Sequence, residues 1–169
     1  MHFVVFVSTF ETGVPVVMHN SSFDMHRLTN DGFTVPAWAS VHDTEILARL
    51  HDPSKRAGLK PLCDRTFGRE ASVGQRVLKE EMRKNRWTWA TVPTDLPAYW
   101  AYGVWDTVLT ARLYGHLSPL VPSPVYDREM AVRDILFQAE QRGIRVDNEY
   151  TTTLLSEWRA EAAELRSTL

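Results

Sequence analysis

The sequence predicts an α/β chain, mostly helical, with one or two short strands followed by a helical appendage. Three observations predict it. Apolar residues return at the three- and four-residue spacing of amphipathic helices along most of the 169 residues. The strand-like apolar runs are short, Val14 to Met18 and Trp38 to His42. Pro119, Pro122 and Pro124 then set off a last stretch that reads as two further helices.

Phe3 to Phe10 reads as the end of an apolar helix stopped by Gly13, so the chain is expected to open inside an element. Val14-Pro15-Val16-Val17-Met18 has the character of a buried strand. It leads into His19-Asn20-Ser21-Ser22-Phe23-Asp24 and a helix through Leu28, for which Asn20 and the two serines are suitable starting residues. Asp43 is placed to cap a helix whose Ile46, Leu47 and Leu50 share a face and which Pro53 ends. Leu59 to Phe67 is a short helix ended near Gly68, and Val73 to Arg86 an amphipathic, basic one. Trp87 to Pro97 is a loop. Tyr99 to Leu117 is a long helix with expected core positions Val104, Val108, Leu109 and Leu113. After a linker at 119–125 come a helix from Tyr126 to Arg142, Gly143 as its stop, the short Ile144-Arg145-Val146, Asp147 as a new cap and a final helix. No internal repeat or low-complexity tract interrupts this order.

Apolar residues make up 44% of the chain, enough for a sizeable core and too many for wholesale disorder. The net charge of −2 does not announce a nucleic-acid binder, but its distribution is uneven. Residues 55–86 hold ten Lys/Arg against four Asp/Glu, while residues 125–169 hold six against nine. The basic segment suits either a phosphate backbone or a solvated helix face. Cys63 stands alone, which excludes a disulfide framework and a Cys-rich zinc site. No stretch reaches the roughly 18 apolar residues of a membrane span, and the first residues lack a basic leader and a cleavage site. A reducing cytoplasm is the expected location. The 15 Arg to 4 Lys point to a GC-rich genome and carry no mechanism.

Two residue pairs share one spacing, Asn20 with Asp24 and Tyr102 with Asp106. On a helix, positions i and i+4 lie on one face, so each pair can aim a polar group and a carboxylate at one point. Converging carboxylates are what two-metal phosphoryl chemistry requires, because hard divalent ions take oxygen ligands and two of them clamp the attacking and leaving oxygens. Alone, Asn20 with Asp24 reads first as a helix cap, and Tyr102 with Asp106 as a helix-surface pair.

Context adds a resemblance. V-V-M-H-N-S-S-F-D resembles the second exonuclease motif of family A DNA polymerases, a strand leading into H-N-x-x-[FY]-D. Y-W-A-Y-G-V-W-D-T-V-L-T is similar to their third motif, Y-x3-D within a long helix. Between them, D-T-E-I-L-A-R-L-H-D-P and G-L-K-P-L resemble the family's connecting stretch, and A-E-Q-R-G-I-R-V-D resembles the signature that opens the polymerase portion. The four matches run in order from residue 14 to about 150, and their wording is most similar to actinobacteriophage members. The resemblance implies a ribonuclease H-like 3′–5′ exonuclease fold over residues 1–118, truncated here, and the start of the polymerase thumb over 126–169. It implies Asp24 as a ligand on the second-metal side, Asn20 as its support, Asp106 as a direct ligand of the first metal and Tyr102 as the group orienting the attacking water. The enzymes with His in place of Tyr carry it five residues before the last Asp; here Ala101 stands there, which favours the Tyr subclass. The implied cofactor is a pair of Mg²⁺ or Mn²⁺ ions, the implied substrate a single-stranded 3′ end of DNA, and the implied location the cytoplasm of a phage host.

The family's first motif, D-x-E on a strand well before the second, has no counterpart among the 19 residues preceding Asn20. Glu11 in F-E-T-G has Thr9 where the Asp belongs. Asp43-Thr44-Glu45 spells D-x-E, but helical residues two apart point about 200° away from each other, so a cap with a first-turn acid is the better account. Asp127-Arg128-Glu129 fails for the same reason. The expectation is a fragment of a phage DNA polymerase with little or no nuclease activity alone, whose exposed strand edge at Val14 to Met18 favours aggregation or a partner chain. That partner would supply the first motif, and another chain the polymerase domain. The competing expectation is a non-catalytic DNA-binding or assembly subunit using the 55–86 surface. An exoribonuclease of the same superfamily is disfavoured by A-E-Q-R-G-I-R-V-D. Arg56 and Lys60 are candidates for phosphate contact, and Trp87 and Trp89 for stacking on unpaired bases, with burial as the competing expectation. His19, His42 and His51 share no metal-ligand spacing, and Cys63 is expected to be buried rather than reactive.

Overall fold

Strands β1 (Val16–Met18) and β2 (Val41–Asp43) lie side by side in parallel, with Val16 opposite Val41 and Met18 opposite Asp43. Parallel neighbours need a crossover. Helix α1 (Ser21–Asn30) and a 3₁₀ turn at Trp38–Ser40 supply it. This computed structural model describes residues 14–167, so the helix end expected over Phe3 to Phe10, with Glu11 and Gly13, lies outside the described residues. Among the described residues β1 pairs with β2 alone, and the second strand-like run is half 3₁₀ turn and half strand.

The remaining elements are helical. α2 (Thr44–His51) and α3 (Leu59–Phe67) are followed by a 3₁₀ turn at Arg69–Ser72, α4 (Val73–Lys84) and α5 (Pro97–Leu117). A 3₁₀ turn at Ser118–Leu120 leads to α6 (Ser123–Arg142) and α7 (Asn148–Ser167). Residues 119–125 thus hold the end of that turn, the buried Val121 and the start of α6. The local signals act where they stand. Gly68 and Gly143 take left-handed backbones, at φ 91° and 69°, just past α3 and α6. Pro97 opens α5, where its missing N–H costs nothing. The Asp147 carboxylate accepts from the Tyr150 N–H at 3.0 Å.

Two compact units result, one ending at Phe137 and one starting at Gln138. In the first, Met25, Leu47, Leu62, Cys63, Leu109 and Leu113 form the centre of the core, joined by Tyr126, Met130 and Phe137 of α6. A second cluster, Leu78, Met82 and Val92, lies beneath Trp87, Tyr99 and Tyr102. Two expected core positions are corrected. Val104 is 61% and Val108 39% exposed, whereas Leu109 and Leu113 are fully buried. At about 100° per residue, Val104 and Val108 sit roughly 140° and 100° around the helix from Leu109. Tyr102, Trp105 and Asp106 share the Leu109 side. In the second unit, α7 has no buried residue.

Candidate active site

The site is built where β1 and β2 end. Asn20 takes the left-handed conformation, φ 65°, and turns the chain from β1 into α1. It stands at the cap position, yet its side chain makes no capping bond. Asp43 does that work from the neighbouring strand. Its Oδ2 accepts from the Ser21 N–H at 2.7 Å and the Ser21 hydroxyl at 2.6 Å, while Oδ1 accepts from the Asn20 N–H at 3.2 Å. The same Oδ1 accepts from Glu45 N–H at 2.8 Å and Ile46 N–H at 3.4 Å, the expected cap of α2. One fully buried carboxylate therefore serves the N-termini of two helices, where the helix dipoles favour negative charge. The Asp43 N–H donates to the Tyr126 hydroxyl at 2.8 Å. Beside it, His19 Nδ1 lies 2.9 Å from Thr44 Oγ1, and the Thr44 hydroxyl reaches Met18 O at 3.1 Å.

With α1 held this way, Asp24 and Asp106 line one pocket of about 450 Å³. β1 and His19 form one wall, Arg27 of α1 and Leu59 of α3 flank it, and Thr110 of α5 lies one turn beyond Asp106. Burial, with Asp43 adding to it, pushes the Asp24 carboxyl up to about 6. Burial lowers the His19 imidazole below its ordinary range.

The Lys60 ammonium forms an ion pair with Asp106 Oδ1 and lies 4.8 Å from the centroid of the Tyr102 ring. Burial lowers the Lys60 pKa. Its ammonium faces a carboxylate here rather than open solvent. The Tyr102 ring lies outside the pocket lining, 6.0 Å from the Trp89 ring. Trp89 is 56% exposed, while Trp87 packs on the Leu78 cluster. Asn20 is exposed and outside the lining, and Arg56 is exposed with its carbonyl accepting from Arg65. Sequence reasoning did not find the Lys60–Asp106 pair or the reach of Asp43 to Asn20 and Ser21. Each joins residues more than 20 positions apart, and no local pattern signals either.

The pocket presents two carboxylates, the oxygen donors that a hard cation would take, and one of them, Asp106, is paired with the Lys60 ammonium. Among the described residues no group of three or more His, Cys, Asp or Glu converges on one point.

The family model for 3′–5′ exonuclease in polymerases of the A type matches residues 6–122. The chain belongs to the 3′–5′ exonuclease domain family of family A DNA polymerases. Similar proteins include the DNA polymerase of Mycobacterium phage D29, 32% identical over 86% of this chain and 27% of that relative. The DNA polymerase of Mycobacterium phage L5 is 29% identical over the same shares. The chain thus spans about a quarter of the length of these relatives. No solved structure matches it. Exonuclease domains of this family generally use divalent metal ions. Among the described residues no helix is long and apolar enough to cross a membrane.

Proposed function

We propose that the chain is the proofreading part of a phage DNA polymerase, acting on single-stranded 3′ ends of DNA in the host cytoplasm. The observation that carries this reading is that Asp24 and Asp106, 82 positions apart, line one pocket beside β1. In the proposal these carboxylates hold Mg²⁺ or Mn²⁺, Asn20 supports the turn that presents Asp24, and Tyr102 orients the attacking water. The bound ions supply charge neutralisation and a polarised water for hydrolysis of the phosphodiester. Trp89, exposed beside Tyr102, gives a terminal base a face to stack on, and in the proposal the exposed Arg56 meets phosphate. The fold is proposed to be of the ribonuclease H type, with residues 126–169 opening the thumb.

Two carboxylates are half of a two-metal ligand set. The proposal is therefore that the chain alone digests DNA weakly or not at all, and that carboxylates from beyond the described residues, carried by a strand alongside β1, complete the site. The exposed cations of α4, Arg76, Lys79, Arg83 and Lys84, favour a second reading, DNA binding without cleavage. One experiment separates the two. The purified chain is incubated with a 3′-labelled single strand and Mg²⁺ or Mn²⁺, and binding and digestion are followed together. Slow digestion lost in Asp106→Ala supports the exonuclease reading. Binding with no digestion, altered neither by added metal nor by Asp106→Asn, supports the second. Robust digestion abolished by Asp106→Ala overturns the expected incompleteness.

A further inference from the structure

Lys60 is a cation built into the candidate site. Its side chain is 11% exposed, and that of its partner Asp106 is 24% exposed. A divalent ion that takes Asp106 has to compete with this ammonium, because two positive groups at one carboxylate oxygen repel. The displaced ammonium also needs a new partner, since a buried charge without one is costly.

The structure contains that partner. Asp64 lies four residues after Lys60 on α3, the spacing at which side chains on one helix face meet. Its Oδ2 accepts from the Ser72 hydroxyl at 2.9 Å, but its Oδ1 is buried with no hydrogen-bond partner, as are Lys60 Nζ and Asp106 Oδ1, which meet as an ion pair alone. A buried carboxylate oxygen left unsatisfied calls for an explanation. Asp64 also acts electrostatically on Lys60. Other titratable groups near the ammonium are the Cys63 thiol, pushed up to about 11 by burial, His19 and the Tyr102 phenol. None of these is a carboxylate that competes with Asp64.

We propose that Lys60 is a displaceable counter-ion: it rests on Asp106 in the metal-free chain and transfers one helical turn to Asp64 Oδ1 when a divalent cation takes Asp106. Lys60 is thus a positioning residue. It holds Asp106 and the Tyr102 ring around one positive charge before metal arrives, and Asp64 receives it afterwards. The inference rests on the reading of Asp106 as a metal carboxylate.

The test is a titration of the full chain with Mn²⁺ alone, followed by electron paramagnetic resonance of the free ion. The variants are Lys60→Met, Lys60→Arg, Asp64→Asn, the Lys60→Met/Asp64→Asn double variant and Asp106→Asn, each checked for folding by circular dichroism. Lys60→Met is expected to bind Mn²⁺ on the order of tenfold more tightly, and Asp64→Asn several-fold more weakly, within the usual range of coupled sites. Lys60→Arg keeps the charge and is expected to stay near the parent. In the double variant the Asp64 effect is expected to vanish, because no ammonium remains to be received. Lys60→Met binding that is unchanged, weaker or undetectable overturns the proposal, as does an Asp64 effect that persists in the double variant. Binding that falls in Asp106→Asn yet ignores Lys60 removes this proposal and leaves the carboxylate reading standing. Binding that ignores Asp106→Asn removes both.

Discussion

At the scale of single residues, the Asp24 carboxyl shows what the site costs the fold. It is pushed up to about 6 by burial and by the buried Asp43. Folding therefore favours its protonated form. The sign follows from linkage: a raised acid pKa gives stability that is full below the unfolded-state value of 3.8 and lost as pH rises through about 6. Asp24→Asn removes the charge and with it the penalty. After discounting for partial exposure, the variant is expected to gain about 1–2 kcal/mol at pH 7.5, and to lose most of that advantage at pH 4. Chemical denaturation at the two pH values measures it. An equal gain at both would assign the effect to packing instead. Asp43 marks the limit of what a sequence shows at this scale. Its capping of Glu45 and Ile46 is local and legible. Its bonds to Asn20 and Ser21 depend on the register of β1 against β2, which no spacing encodes. Only the family resemblance links Asp24 with Asp106; helix periodicity carries no information about residues 82 positions apart.

At the scale of elements, most boundaries were legible because short-range chemistry sets them. Gly68, Gly143, Pro97 and Asp147 each stop or start a helix through their own backbone or side chain. Which face of α5 is buried was less legible, because this 21-residue helix is apolar on several sides and its sequence offers no single stripe. Leu109 and Leu113 take the buried face that the sequence predicts, whereas Val104 and Val108 lie on exposed sides. The distinction has a measurable consequence. Leu109→Ala empties a fully buried position at the centre of the core and is expected to cost about 2–5 kcal/mol. Val104→Lys alters an exposed position and is expected to stay within about 0.5 kcal/mol of the parent. Urea unfolding of both variants checks the pair. A larger loss from Val104→Lys than from Leu109→Ala would place the buried face elsewhere.

At the scale of the whole molecule, the exposed segments of the chain are not equivalent. Residues 52–58 include the buried Ala57, and the Arg56 carbonyl accepts from Arg65 at 2.9 Å. Residues 85–96 include the buried Val92, and the Trp87 N–H donates to Met82 O at 2.8 Å. Opening either segment for a protease breaks core contacts. Residues 143–147 are different. Ile144 is 93% exposed, Arg145 follows it in irregular chain, and α7 beyond has no buried residue. Local opening is cheapest where the fewest buried contacts are lost. Limited trypsin digestion is therefore expected to cut first at Arg142 or Arg145. Every residue of the main core precedes Gln138, so the larger product is expected to keep the melting transition of the parent. Mass spectrometry of the first product and its thermal melt by circular dichroism decide the point. A first cut at Lys55, Arg56 or Arg86, or a product that no longer melts cooperatively, would overturn this ranking of the segments.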